Sequence, residues 1–240
     1  MAPGLYDDDS DTSPEAKMKE DKTNRQIIFW SVLVIALLFL GEIFWNYSPG
    51  RMSVLFFFIG WILLLILHEL GHAICAKIFG WRVLGLVIGF GQVLFKFKLF
   101  NVPVQIRAFP LEGFVLARPV NERWIRFKSA SVYFAGPAVH LAALIIPLYV
   151  LGWEGLIEPS DDLGKIFVQS LAAVGFLGCL VTLIPFPANM EGHQAYNDGL
   201  GIVYSLFGDV SRLQMSEEEE EKLNRLVRGE PLEDPGWQGD

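Results

Sequence analysis

The chain contains little cysteine. Only two cysteines, Cys75 and Cys179, occur in its 240 residues, and both lie inside apolar runs. A disulfide scaffold would need more cysteines at regular spacings, and a thiolate zinc site would need closely spaced pairs of them. We therefore expect both cysteines to be small packing residues.

Charged residues are also scarce, at 19% of the chain, and no segment forms a basic domain. The net charge of −8 arises largely in two acidic stretches, 7–11 and 217–221. Nucleic acid is therefore not expected as a partner, because binding it needs clustered lysine and arginine. Hydrophobic residues make up 52% of the chain and the mean hydropathy is positive. These properties are typical of an integral membrane protein.

Four apolar segments approach or exceed the roughly 20 residues that a helix needs to cross a bilayer. They are about 27–45, 54–79, 130–151 and 166–184. The predicted fold is a polytopic α-helical membrane protein with about four transmembrane helices. Residues 1–25 are predicted to form a disordered cytosolic N-terminal tail. The membrane domain follows at 26–208, and a cytosolic C-terminal tail at 209–240.

Between the second and third spans the sequence takes on the alternation of a β-strand. Apolar and polar residues alternate at 95–99 and again at 104–107, with Asn101 at the break. This period of two predicts a small β-hairpin region over about 83–117. Tight bends or close backbone contacts are predicted at three glycines just upstream, Gly85, Gly89 and Gly91.

Positive charge indicates the orientation. The segment between Arg82 and Lys128 is rich in lysine and arginine, whereas the loop between the third and fourth spans is acidic, with Lys165 as its one basic residue. The positive-inside rule then places the hairpin in the cytosol and the short loops outside. Four crossings would leave both termini in the cytosol, and we expect the plasma (inner) membrane of a prokaryote.

The second span contains two histidines and a glutamate in an otherwise apolar run. His68, Glu69 and His72 fit the pattern His-Glu-x-x-His. Residues four apart share one face of a helix, so both histidines can bind one Zn²⁺ while Glu69 acts as the base toward an activated water. The simpler alternative is a pair of histidines that are only hydrogen-bonded. Polar groups at membrane depth are costly and usually functional, which favours the catalytic zinc site.

Catalytic zinc needs a third protein ligand, and the candidates follow the fourth span, where Pro185 and Pro187 break the helix. Glu191, His193 and Asp198 all lie there. We favour Asp198 because an Asp-Gly pair opens the next apolar helix, where the helix dipole and free N–H groups favour a carboxylate. Glu191 remains the alternative third ligand, and His193 is interpreted as a polar loop residue.

With these residues in place, the chain resembles the site-2 protease family of intramembrane zinc metalloproteases. Besides His-Glu-x-x-His, "FPLEGFV" at 109–115 is similar to the family's Pro-Leu-Gly-Gly-Tyr-like motif, and "AGPAVH" at 135–140 to its Ala-Gly-Pro-x-x-Asn motif. "TLIP" at 182–185 and "NDG" at 197–199 are similar to the family's Asn-x-x-Pro segment and its Asp-Gly pair, whose aspartate binds zinc. The resemblance covers about 54–208 and preserves the order of the motifs.

The chain departs from the family pattern in four places. Glu112 stands where glycine is usual, while His140 and Thr182 each replace an asparagine. The gap between Pro185 and Asp198 is also longer than in many members. We expect these departures to affect substrate positioning more than zinc binding. His140 is either a packed histidine bound to backbone or a residue that stabilises the oxyanion of the transition state, and Thr182 is a further candidate for such contacts.

The resemblance implies a zinc endopeptidase that hydrolyses peptide bonds of transmembrane proteins or membrane-associated peptides, within or near the bilayer. The hairpin would then be membrane-associated, and it either holds an unwound substrate as an added strand or plugs the cytosolic side. Two other functions stay open. One is an inactive scaffold that binds membrane proteins, although intact Glu69 argues against it, and the other is a metal transporter.

Overall fold

A computed structural model of the chain describes residues 30, 31, 34, 35, 37, 38, 40–42, 45, 47–120, 123–190, 193–208 and 225, with the backbone alone at 187–190 and 193–196. The chain divides into two units after Tyr47. In the first unit the described residues between Trp30 and Trp45 are helical. The predicted span 27–45 lies partly outside the described residues. Glu191 lies outside them, and so do the predicted N-terminal tail and all of the predicted C-terminal tail except residue 225. A fourth crossing therefore stays a prediction.

The second unit carries every named element of the fold. It opens with a short 3-10 turn, Pro49–Arg51. The helices are α1 (Met52–Ile78), α2 (Ile125–Ile157), α3 (Leu163–Leu183) and α4 (Asp198–Phe207). The strands are β1 (Arg82–Leu99), β2 (Val102–Arg118), β3 (Pro187–Met190) and β4 (His193–Tyr196). β1 pairs with β2 and β3 pairs with β4, both antiparallel.

Three helices among the described residues are long and apolar enough to cross a bilayer, namely α1 with its 3-10 turn, α2 and α3. They coincide with the second, third and fourth predicted spans. The largest difference is at α2, which continues past the predicted end at Leu151. Gly152 has a φ of 70° and interrupts the helix there, and the element resumes up to Ile157. Glycine adopts this φ without a side-chain clash, which allows the helix to bend at this position.

The three long helices approach one another closely at the level of the histidine motif. A Cβ on Gly71 of α1 would lie 2.7 Å from the carbonyl oxygen of Ala135 in α2. A Cβ on Gly175 of α3 would lie 2.8 Å from the carbonyl oxygen of His140, also in α2. Small residues allow such backbone contacts between membrane helices, where van der Waals packing drives association. The motif is thereby enclosed by helices on more than one side.

One buried residue from each long helix forms a common core beside the motif. Leu64 of α1, Ala143 of α2 and Val174 of α3 are in contact and buried. Leu64 lies one turn of α1 before His68, so this packing fixes the position of His68 along α1 relative to the other two helices.

The β1–β2 hairpin turns at Phe100 and Asn101, which have φ values of 49° and 66°. This turn confirms the predicted hairpin and its break at Asn101. β1 is itself bent, because Gly89 and Gly91 have φ values of 86° and 84°. A Cβ on Gly89 would lie 2.7 Å from the carbonyl oxygen of Phe109, so the bend also brings two backbone segments into contact.

The bend divides the hairpin into four short strand segments. Residues 86–88 pair with 113–115 on one side and with 104–106 on the other. Residues 95–97 pair with 104–106 as well, so this part of β2 lies between the two halves of β1. Residues 113–115 consequently lie at an edge of the small sheet.

The hairpin packs against α1 next to the motif. Leu86, Ile88 and Val104 are buried together, and Ile66 and Ala73 of α1 pack against them. Val115 at the edge of the sheet packs against the same residues, and a Cβ on Gly113 would lie 2.8 Å from Oε1 of Glu69, so the edge of the sheet reaches Glu69.

Candidate metal centre

His68 and His72 lie on one face of α1, a single helical turn apart. Both side chains are buried, and their Nε2 atoms are 3.0 Å apart. This arrangement follows from the spacing of four residues, because side chains at i and i+4 lie above one another on a helix.

Asp198 joins them as the first residue of α4. Its Oδ2 atom lies 3.0 Å from Nε2 of His68, and its Oδ1 atom lies 3.3 Å from Nε2 of His72. The long segment after Pro185 folds into the β3–β4 hairpin, in which Pro187 pairs with Tyr196. The chain therefore returns to its starting point before α4 begins, and the longer gap still delivers Asp198 to the two histidines.

The donor set fits a divalent metal ion. For metal–ligand bonds of roughly 2.0–2.1 Å, neighbouring ligand atoms around tetrahedral zinc lie about 3.3 Å apart. The three distances between His68, His72 and Asp198 are close to that value. Among the described residues, these three form a group of possible metal ligands whose donor atoms all lie within 4.8 Å of one another.

The hydrogen bond on the far side of His72 supports the same assignment. Its Nδ1 atom lies 2.6 Å from the carbonyl oxygen of Val132 in α2. A carbonyl can only accept, so Nδ1 carries the proton and donates. In neutral imidazole the lone pair is then on Nε2 and faces His68 and Asp198, which is the usual arrangement of a metal-binding histidine.

Gly136 leaves the space that an ion would need. A Cβ at this position of α2 would lie 2.6 Å from Nε2 of His68 and would also meet Nε2 of His72. The helix therefore presents bare backbone to the two donor atoms. Any side chain here would occupy the region between them.

We expect Gly136→Ala to lose bound metal, because the new methyl group would block both imidazole nitrogens. Gly60→Ala is the matched control, since its Cβ meets α3 at an ordinary contact distance of 3.5 Å. Metal analysis of the purified variants by mass spectrometry provides the comparison. Full metal content in Gly136→Ala would show that the ion binds elsewhere.

Glu69 lies beside the three donor residues and is 3% exposed. Strand β2 passes directly over it, because a Cβ on Gly113 would lie 2.8 Å from both Cγ and Oε1 of Glu69. The Oε2 atom of Glu69 has no hydrogen-bond partner among the described residues. A buried carboxylate placed next to a metal position, with an oxygen that no described residue binds, is suited to accepting a proton from water.

Sequence comparison agrees with this geometry. The family described as Peptidase family M50, which is the site-2 protease family, matches residues 56–230. The chain belongs to peptidase family M50. The match includes α1 from Phe56 onward, the hairpin, α2, α3 and α4. Together with the three apolar helices, membership of M50 makes the chain a membrane protein.

Several individual proteins that resemble the chain are named as metalloproteases. The chain is 48% identical over 52 residues to the "Probable membrane metalloprotease ARASP2, chloroplastic" of Arabidopsis thaliana. The matched stretch is 22% of this chain and 12% of that protein. It is 29% identical over 146 residues to "Putative zinc metalloprotease RSc1411" of Ralstonia nicotianae, covering 51% of this chain and 31% of the relative. "Zinc metalloprotease Rip1" of Mycobacterium bovis is 27% identical over 130 residues, with coverages of 48% and 30%. The chain thus spans less than a third of the length of each of these relatives.

The three residues that depart from the family pattern, His140, Thr182 and Glu112, differ in how they lie relative to the site. His140 is buried in α2, and its ring centroid lies 5.0 Å from that of His68. Its Nδ1 atom has no partner among the described residues. The hydroxyl of Thr182 donates to the carbonyl of Gly178 in its own helix at 2.8 Å. Glu112 is exposed, one residue before Gly113.

Two parts of this M50 site were not predicted from the sequence. Gly136 lies inside the quoted "AGPAVH" motif, but its role depends on where α2 crosses α1. Asn197 precedes the Asp-Gly pair and is the N-cap of α4, with its side chain accepting from the N–H of Leu200 at 3.1 Å. Asparagine is a preferred N-cap residue, so its position before an apolar helix was the available signal.

Proposed function

We propose that the chain is a zinc metalloendopeptidase that hydrolyses peptide bonds of membrane proteins within or near the bilayer. The supporting observation is the group formed by buried His68 and His72 and partly buried Asp198, with Glu69 beside it. The histidines and Glu69 lie on a helix long enough to cross a membrane. The names of two relatives, both called zinc metalloproteases, support zinc as the cofactor.

The side chains divide the chemistry between them. His68, His72 and Asp198 would hold the ion, which when bound supplies the Lewis acidity that makes water nucleophilic near neutral pH. Glu69 accepts the proton of the attacking water and passes it to the leaving amine. The carboxylates of Asp198 and Glu69 balance the charge of a divalent cation, so the centre as a whole is neutral, and this reduces the cost of burying it.

His140 is proposed to stabilise the oxyanion of the transition state. It lies next to His68, and its Nδ1 atom is not engaged with another described residue. A ring nitrogen that carries a proton can donate to developing negative charge, and such donors act strongly where water is excluded. Thr182 is a weaker candidate for this role, because its hydroxyl already donates to Gly178.

The β1–β2 hairpin is proposed to present the substrate. Residues 113–115 pair on one side with 86–88, and the described residues provide no strand on their other side. An unwound substrate segment added at this edge would pass Gly113, and therefore Glu69. The hairpin as a simple plug is the alternative, and it predicts no strand pairing with substrate.

Purified protein in liposomes distinguishes the protease from the two other functions. We expect it to retain zinc and to cleave a co-reconstituted transmembrane peptide. Zinc retention without cleavage of any membrane peptide would favour a scaffold, and flux of zinc into the liposomes would favour a transporter.

We further propose four membrane crossings with the hairpin and both termini in the cytosol, in the plasma (inner) membrane of a prokaryote. Cysteine-labelling from outside the cell is therefore expected to modify Asp161→Cys in the loop between α2 and α3 but not Lys96→Cys in β1. Both positions are exposed on the protein, so only the membrane determines which of them the labelling reagent reaches. Labelling of Lys96→Cys but not of Asp161→Cys would show that the chain has the opposite orientation in the membrane.

A further inference from the structure

A single side chain joins the end of α3 to the start of α4. The Oδ1 atom of Asn197 accepts hydrogen bonds from the N–H groups of Leu200 and Phe186, both at 3.1 Å. Its Nδ2 group donates to the carbonyl oxygen of Ile184 at 2.6 Å, and its second hydrogen is shared between the carbonyl oxygens of Val181 and Thr182, each 3.2 Å away. Asn197 thus caps α4 and also binds the last turn of α3.

Both sets of contacts satisfy groups that helices leave without partners. The last carbonyls of α3 have no intrahelical donor, and Pro185 has no N–H to offer them. The amide of Asn197 provides that donor from the far side of the β3–β4 hairpin. Its oxygen provides the acceptor that the first turn of α4 lacks.

The neighbouring glycine allows the two helix ends to touch. A Cβ on Gly199 would meet the carbonyl oxygen of Leu183 and would lie 2.6 Å from its carbonyl carbon. Asp198 therefore lies between two residues that are both fixed against α3. At the other end of α4, Nη1 of Arg126 in α2 donates to the carbonyl of Leu206 at 2.9 Å.

We propose that Asn197 is a positioning residue that holds the carboxylate of Asp198 at the metal centre. This role rests on the proposed function, because it presumes that Asp198 binds the ion. The β3–β4 hairpin brings the long segment after Pro185 back beside its start, but its pairing ends at Tyr196, two residues before Asp198, so strand pairing alone leaves the start of α4 free to shift against α3. The amide of Asn197 removes that freedom by tying α4 to α3, so Asp198 is in place before the ion arrives.

The test uses the whole chain of 240 residues and separates capping from the bond to α3. Asn197→Ser retains a side chain that can cap α4, but it has no amide to donate to the α3 carbonyls. Asn197→Ala loses both functions. Asp162→Ala is the matched control, because Asp162 caps α3 at its other end by accepting from Lys165 N–H at 2.7 Å.

Zinc affinity is measured by competition with a chelator, alongside melting temperature and turnover with excess zinc. We expect both Asn197 variants to bind zinc roughly 10–100-fold more weakly, as is typical when a partner of a metal ligand is removed. Excess zinc should restore much of the turnover of Asn197→Ser. Asp162→Ala should melt earlier yet bind zinc as the wild type does.

Wild-type zinc affinity in Asn197→Ser would overturn the role of the amide, while leaving the protease proposal intact. A wild-type protein that neither binds zinc nor cleaves would instead contradict the proposed function. In that case, hydrogen exchange of the metal-free protein still decides whether Asn197 holds the two helix ends together. The Phe186 amide should exchange faster in Asn197→Ser than in wild type or Asp162→Ala, and equal exchange in all three would refute the contact.

Discussion

Glu69→Gln is expected to abolish cleavage while zinc stays bound. Glutamine has nearly the same shape as glutamate but cannot take a proton from water, so the base is lost and the ligands are not. Removal of a general base typically lowers the rate by about 10²–10⁴-fold. Cleavage of a reconstituted transmembrane peptide and zinc content are measured on the same preparation.

The control for this substitution is Glu154→Gln, which changes an exposed glutamate near the end of α2. It should leave both cleavage and zinc unchanged. Zinc lost from Glu69→Gln would mean that Glu69 is itself a ligand. Undiminished turnover would mean that another group is the base.

Asp198→Ala is expected to lose both zinc and activity, whereas Glu191→Ala retains most of its zinc. The Asp198 oxygens lie 3.0 and 3.3 Å from the two imidazole nitrogens, so its removal leaves two ligands for an ion that normally has three from protein. Glu191 lies outside the described residues, and its substitution is the direct test of the alternative ligand.

Metal analysis of the two purified variants, prepared side by side, distinguishes the candidates. If Glu191→Ala is the variant without zinc, the assignment of Asp198 is wrong, although the chain could still be a protease. Loss of zinc from both variants would indicate that the segment after Pro185 must be intact for the site to form.

Local sequence rules were sufficient for the parts of the site that depend on one element. The approach of His68 to His72 follows from helical periodicity alone. The turn at Asn101 follows from the break between two alternating segments. The position of Asp198 at the start of α4 follows from a helix end at Pro185 and a new apolar run after Gly199.

The parts that depend on packing between distant segments were not predictable from the sequence. Gly136 matters because α2 crosses α1 at the two histidines, and no local pattern encodes that crossing. Asn197 was identifiable as a helix cap, but its bonds to α3 arise only after the β3–β4 hairpin closes. The bends at Gly89 and Gly91 were predicted, yet the insertion of 104–106 between the halves of β1 depends on long-range strand pairing.

X-ray absorption at the zinc edge of purified wild-type protein tests the metal centre most directly. Two histidines and Asp198 predict a full equivalent of zinc with nitrogen and oxygen neighbours at about 2.0–2.1 Å, together with the outer scattering of imidazole. Sulfur is not expected, because Cys75 and Cys179 are free thiols that are not among the three donor residues. A spectrum with sulfur neighbours near about 2.3 Å, or protein without zinc after preparation in zinc-containing buffer, would contradict the assignment.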